Sequence, residues 1–353
     1  VLHWDLRLHR PRLEGGKLNT AAREDLVELV RRDGREYLCY KTFPVHVAFI
    51  RATAADPAGN LNMDEEVSPW DNCTMAQAAR ASGGITIAQV KRVVRMHSLD
   101  PRTVRVPGIF VDYLVVDPDQ GQTYQINYDP SLCGAARKPP EEFPPFPMSP
   151  RKVIARRAAL ELFPGAVLNL GFGMPDGVMK VAREQGLEAE VTPTVEHGQI
   201  GGIPAEGLDF GASYNSTSFV ETRHQFNFYH GRGVDLAFLG FAEVDEEGNV
   251  NVSRIESAVI GTGGFIDIAQ RSRRLVFCGT LTARGAAKFV PRVKQITFSG
   301  RRALVDRHDV LYVTECAVFR LTPAGVEMIE IAPGLSAERD VFSKMAFRPA
   351  VAS

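Results

Sequence analysis

The sequence predicts an α/β fold made of two similar open α/β units, the first of them incomplete. Three observations carry this. Short apolar runs ended by glycine alternate with segments of helical spacing, the pattern of a mostly parallel sheet. One proline-rich segment divides the 353-residue chain. A strand-and-turn segment recurs at an offset of 189 residues without a gap.

The repeat begins at Pro44 with PVHVAFIRATAADPAGNLNM and again at Gly233 with GVDLAFLGFAEVDEEGNVNV. Val45, Ala48, Phe49, Asp56, Gly59, Asn60 and Asn62 fall on Val234, Ala237, Phe238, Asp245, Gly248, Asn249 and Asn251. Downstream, GGITIAQ from Gly83 echoes GGFIDIAQ from Gly263, with one extra residue in the second. A shared DxxGNxN turn behind matched strands argues for duplication. Lys138 to Pro150 holds six prolines in thirteen residues, so neither a helix nor a central strand runs through it. The expected organisation is a first unit over 1–137, a linker over 138–150 and a second unit over 151–353.

Within the second unit, Ser149-Pro150 supplies a cap and first turn. An apolar stripe follows at Val153, Ile154, Ala158, Leu160 and Leu162, and Pro164-Gly165 stops it. AVLNL is a buried strand, and GFGMP turns into a helix around Asp176 to Gln185. GVDLAFLG and RLVFCGT are further strands, and LYVTECAVFRLTPAGVEMIEIAP is a hairpin turning at Pro323 to Gly325. The first-unit partners of the Arg151 helix and the GFGMP turn would precede residue 1. The first unit is therefore expected to lack its opening helix, strand and turn.

Lys and Arg total 41 against 42 Asp and Glu, a net charge of −1, which argues against nucleic acid or an anionic membrane as main partner. No apolar run reaches the length of a membrane span, and the N-terminus lacks the apolar core of a signal peptide. Five scattered cysteines with no zinc spacing fit a reduced, cytoplasmic protein.

Ligands of open α/β sheets bind beyond the carboxyl ends of the strands. Three glycine-rich turns qualify: GFGMP (Gly171, Gly173, Pro175), EHGQIGGIP after Val195, and GTGGF (Gly261, Gly263, Gly264, Phe265). None fits a dinucleotide or ATP motif. Together they can offer bare N–H groups to an anion or a carbonyl oxygen. Glu196 stands at a strand tip among glycines and is the candidate reactive group. By local pattern alone it reads as a solvated loop carboxylate. A carboxylate can attack an activated acyl carbon and form an anhydride, provided the approach is open. The glycines after Glu196 are expected to supply that opening. Glu206 and Glu221 compete less well, being away from a strand tip. His197 points away from its neighbour on an extended segment. His224 and His230 make no metal helix, so no metal site is expected. Arg271, Arg273, Arg274 and Arg284 are either a solvated edge or contacts for cofactor phosphates.

NLGFGMPDGV, VEHGQIGGIPAEGLDFGASYN, FNFYHGRGVDLAFLGFAEVDEEGNVNVSR and GTGGFIDIAQRSRRLVFCGTLTARG resemble, in order, the class I coenzyme A transferases of the fused single-chain acetate or propionate type. The likeness spans residues 12–350. It implies two CoA-transferase-type domains with the chain starting inside the first, and a site near their interface. It also implies Glu196 as nucleophile with Gly198 following. Gly261, Gly263 and Gly264, with Phe265, are expected at the pantetheine or thioester site, and Gly171 and Gly173 close by. No cofactor would be held permanently. Acyl-CoA and a short-chain carboxylate would be substrates, passing through a glutamyl-CoA thioester in a dimeric or tetrameric homo-oligomer. A non-catalytic acyl-CoA-binding subunit, an acyl-CoA hydrolase and a sugar-phosphate isomerase on the same fold are the alternatives. The segment reads EHG where the family more often has a smaller or amide residue after the glutamate.

Overall fold

A computed structural model describes residues 2–3, 24–255 and 258–352. The first half rests on a five-stranded sheet ordered Val104–Val106, Leu61–Asn62, Val47–Ala55, Ile85–Val93, Tyr113–Val116, the last three parallel. Alternation along Val47–Ala55 sends Ile50 and Ala52 to one face. There they meet Ala76 of helix α1 (Asn72–Ala81), together with Ala88 and Val90. An antiparallel pair, Val27–Arg32 with Arg35–Tyr40, precedes this sheet.

The second half is a ten-stranded mixed sheet. Its order is Ser218–Phe219, Gln199–Ile200, Thr192–Thr194, Val167–Leu170, Leu236–Gly240, Arg274–Cys278, Asp309–Val313, Ala317–Thr322, Gly325–Ile331, Ala350–Val351. The run from Thr192–Thr194 to Asp309–Val313 is parallel. Helices α2 (Pro150–Ala159) and α3 (Gly177–Glu184) cover one face. Helices α4 (Thr222–His230), α5 (Phe265–Arg271) and α6 (Gly300–Val305) cover the other. Ser149 caps α2 through the Lys152 N–H, with Pro150 at the first helical position, as its sequence requires.

The duplication is visible atom by atom. Asp56 Oδ1 accepts from Asn60 N at 3.0 Å, and Asp245 Oδ1 from Asn249 N at 2.9 Å. The amide of each Asn returns to the Asp Oδ2 at 3.0 Å. Each Asn Oδ1 then accepts a glycine N–H, Gly108 at 2.9 Å and Gly300 at 3.0 Å. A side chain on either glycine would collide with the turn backbone, reaching Ala58 C and Gly248 C at 2.9 Å. Both copies thus use a side-chain-locked turn to dock the next segment.

One part of the expected repeat fails. GGITIAQ forms the strand Ile85–Val93, whereas GGFIDIAQ forms helix α5. Thr86, Ala88 and Val90 bury a period-two face, while Phe265, Ile268 and Ala269 bury a helical one. The structural partner of α5 is α1, and that of Ile85–Val93 is Arg274–Cys278.

The two halves also differ in cover. Leu236 and Phe238 are fully buried beneath α2 and α3. Their repeat partners Val47 and Phe49 are 42% and 71% exposed. Residues 138–150 are pinned to the second half: Lys138 and Asn215 exchange two hydrogen bonds at 2.8 and 2.9 Å, and Phe146 is buried in its core.

Candidate active site

Glu196 occupies the tip of a tight hairpin. Val195 N–H donates to Gln199 O and Gly198 N–H to Val195 O, both at 3.0 Å. Glu196 and His197 are therefore the two central residues of a β-turn. The turn lies at the carboxyl end of Thr192–Thr194, the side of the sheet where an open α/β fold binds ligands.

The Glu196 carboxylate lies against Gly264. A Cβ built on Gly264 would run into Oε2, stand 2.9 Å from Cδ, and meet Phe226 Cζ at 2.7 Å. Gly264 has φ −78° and ψ −1°, which any residue adopts. Its lack of a side chain is explained by the carboxylate and the Phe226 ring, not by backbone strain. Burial raises the Glu196 carboxyl to about 6; the Gly264 N–H opposes this and the Asp267 carboxylate adds to it. Asp267 is itself bonded to His230 Nε2 at 2.8 Å.

A buried polar junction sits beneath the hairpin. Tyr229 OH accepts from Gln225 Nε2 at 2.9 Å and Asn169 Nδ2 at 3.2 Å, and donates to Thr194 Oγ1 at 2.9 Å. Thr194 Oγ1 passes its own proton to Leu168 O at 2.6 Å. Thr194 is two residues before Glu196, so the network fixes the strand whose tip carries the carboxylate.

The candidate glycines play unequal parts. Gly261 and Gly263 have positive φ, +87° and +53°, and among the described residues no atom beyond their chain neighbours lies within 4 Å of a built Cβ. A side chain at either position would point into open space. The opening expected after Glu196 is absent. Gly198 packs against the Val220 backbone, Gly201 against Thr217 and Gly202 against Ser216. These glycines allow the hairpin to fold flat against 213–220. Gly171 packs on Phe238 and Leu239, while Gly173 holds φ +88° in open space. Arg151 bonds both Gly173 O (2.6 Å) and the buried Asp176, fixing that turn. Phe265 is buried beside Phe277, so it acts from the core.

Glu206 pairs with Lys180, and Glu221 pairs with Arg223 at 2.7 Å. The arginines do not form one cluster. Arg274 pairs with Glu161 and Asp309, and Arg271 and Arg273 stand with it at the amino end of Arg274–Cys278, away from the site. Arg284 lies beyond the carboxyl end. Among the described residues, no group of three or more His, Cys, Asp or Glu is placed to hold a metal, and no helix is long and apolar enough to cross a membrane. All five cysteines are unpaired.

His197 turns away from Glu196: its Nδ1–H donates to Gly211 O at 3.1 Å and its ring lies 4.4 Å from that of Trp70. Burial lowers its pKa, so it is neutral near pH 7. Trp70, Phe49, Arg51, Tyr124, Phe210 and Gly211 line a cavity of about 920 Å³ beside this contact. Sequence reasoning missed Trp70, Tyr229 and Asp267: Tyr229 and Asp267 lie within the quoted FNFYHGRG and GTGGFIDIAQ segments without being singled out, and the fold brings all three to the Glu196 turn.

The Coenzyme A transferase sequence model matches residues 13–117. The acetate CoA-transferase YdiF of Escherichia coli is 42% identical over 97% of this chain and 68% of its own length. The caffeate CoA-transferase of Acetobacterium woodii is 41% identical over 97% of this chain and 70% of its own. The crystal structure of E. coli YdiF in a thioester complex with CoA superposes with a TM-score of 0.90 and 41% identity, covering 100% of this chain and 70% of that one. This likeness runs through both sheets and the Glu196 hairpin, and it makes the protein a transferase enzyme that belongs to the coenzyme A transferase family.

Proposed function

We propose that the protein transfers coenzyme A between a short-chain acyl-CoA and a free carboxylic acid, with Glu196 as covalent nucleophile. The observation that carries this is the fit of the Glu196 carboxylate into the side-chain space of Gly264, beside the open backbone of Gly261 and Gly263. The thioester complex of YdiF with CoA supports the same chemistry. On this reading, a Glu196 oxygen attacks the thioester carbonyl and the C–S bond breaks, giving an acyl-glutamyl anhydride and CoA thiolate. The thiolate attacks the glutamyl carbonyl, and the first carboxylate leaves as a glutamyl-CoA thioester forms. An acceptor carboxylate then repeats the steps in reverse, and the thioester is exchanged without hydrolysis. No net proton transfer is needed in any step. The chain is read as two units, 1–137 and 151–353, joined by 138–150, with the second carrying the nucleophile.

The test is incubation with propionyl-CoA or acetoacetyl-CoA, with and without acetate, followed by peptide mass spectrometry. A CoA adduct on Glu196, discharged by acetate and absent from Glu196→Ala, supports the proposal. Free CoA released without an acceptor acid identifies a hydrolase instead. CoA binding without exchange, unaltered by Glu196→Ala, identifies a non-catalytic binding subunit.

A further inference from the structure

The turn that carries Glu196 is gripped by a segment 125 residues and more away in sequence. Ser68 Oγ donates to His197 O, the carbonyl at the apex of the turn, and Ser68 is 1% exposed. Gln199, the first residue after the turn, sends Nε2 to Val67 O at 2.9 Å. Asp71 Oδ1 accepts the Arg223 N–H at 3.1 Å, tying the same segment to α4. Trp70 lays its ring on His197, centroids 4.4 Å apart. Trp70 does this from a backbone φ of +52°, which a bulky L-residue rarely occupies. Such a conformation persists only where its surroundings over-determine it, and these cluster at functional sites. Here the surroundings are the hydrogen bonds of 67–71 to the hairpin and α4. A turn tip normally leaves its carbonyl to water and its side chains mobile. This one has its carbonyl, the next residue's amide and one central ring all held by Val67–Asp71.

We infer that Val67–Asp71 is a clasp contributed by the first half, with Trp70 and Ser68 as positioning residues that hold the Glu196 carboxylate against Gly264. The inference rests on Glu196 being the nucleophile. It gives the first half a part in catalysis that needs no contact with the reacting atoms. The clasp acts through His197 and Gln199, on either side of Gly198, so it sets orientation and not charge.

Trp70→Gly removes the ring while suiting the positive φ, so the backbone path survives. Trp70→Phe keeps a ring over His197, and Ser68→Ala removes one donor. Adduct formation on Glu196 is followed by rapid-quench mass spectrometry with propionyl-CoA, beside steady-state kcat and KM. The expected result is a fall in the rate of adduct formation on the order of 10- to 100-fold in Trp70→Gly and about 10-fold in Ser68→Ala, the scale of a small misplacement of a reacting group. KM should stay within about twofold, and Trp70→Phe should recover most of the rate. Wild-type adduct rates in Trp70→Gly and Ser68→Ala overturn the inference. So does a raised KM with unchanged kcat, which marks a wall of the substrate pocket. Should Trp70→Gly not fold, Ser68→Ala and Trp70→Phe decide by the same readouts. Should wild-type protein carry no adduct on Glu196, the nucleophile assignment fails separately. Hydrogen exchange of the Gly198 and Gln199 amides then tests the grip itself, and unchanged protection in Ser68→Ala overturns it.

Discussion

Replacing Glu196 by Gln should stabilise the protein. The carboxyl is raised from 4.5 to about 6, first by burial and then by the Asp267 charge. The folded state therefore holds the Glu196 proton more tightly than the unfolded chain does. Folding is unpenalised below pH 4.5, loses stability as pH rises through about 6, and carries the full penalty above it. A shift of this size corresponds to about 2 kcal/mol. Glutamine keeps the shape and the acceptor for the Gly264 N–H while removing the charge. Urea unfolding of wild type and Glu196→Gln at pH 7.5 should show the variant more stable by ~1–2 kcal/mol, with the gap closing at pH 4.5. The same titration should appear in kcat/KM for acyl-CoA, rising with pH and levelling above about 6 as the carboxylate ionises. A variant no more stable than wild type at pH 7.5, or a gap that does not change with pH, refutes the electrostatic reading of the site.

Three further changes follow from the same geometry. Gly264→Ala adds a methyl group where the Glu196 carboxylate lies, in a backbone conformation that alanine accepts. Turnover should fall on the order of 100-fold while thermal unfolding moves only a few degrees. Tyr229→Phe leaves the buried Gln225 and Asn169 amides without their shared acceptor, and calorimetry should show a loss of about 1–3 kcal/mol. Lys288 lies largely buried over the Phe241 ring at 4.0 Å, and burial lowers its pKa to about 8. Lys288→Met should stabilise the fold by about 1–2 kcal/mol at pH 7, part of the burial cost being offset by the ring. That gain should shrink as pH rises from about 8, where the native lysine loses its charge, towards 10.5, where the unfolded chain does.

Local chemistry was readable where neighbours in sequence decide structure. Ser149-Pro150 announced α2, the DxxGNxN turns announced the duplication, and the position of Glu196 just past a strand was legible. The readings that failed did so because tertiary contacts choose between local options. GGITIAQ and GGFIDIAQ share letters, yet one buries alternate residues in a sheet and the other a helical stripe. Gly198, Gly201 and Gly202 looked like room for a substrate because sequence does not show that residues 213–220 return to fill it. Four arginines close in sequence separated because a strand runs between Arg274 and Arg284, carrying them to opposite ends of the sheet. Trp70 and Asp267 reach the Glu196 turn from 126 and 71 positions away; nothing around Trp70 marks it, and Asp267 lies in the GGFIDIAQ segment without a residue pattern that assigns it a role.

The electrostatics of Glu196 bear on how such a site would run its chemistry. The free carboxylate is buried, faces Asp267, and has one backbone donor opposing the penalty. An anhydride or a thioester on Glu196 is neutral, so either adduct is relieved of that penalty. On the proposed mechanism, the burial that raises the carboxyl also favours the neutral adducts over the resting anion. A cation beside Glu196 would reverse this, stabilising the anion and making the enzyme carboxylate a better leaving group and a worse nucleophile. The bias also costs nothing in reversibility. Acyl-CoA and glutamyl-CoA are both thioesters, and each half-reaction begins and ends with one free carboxylate. What the burial changes is where that carboxylate resides: in solution on the departing acid, and not within the protein.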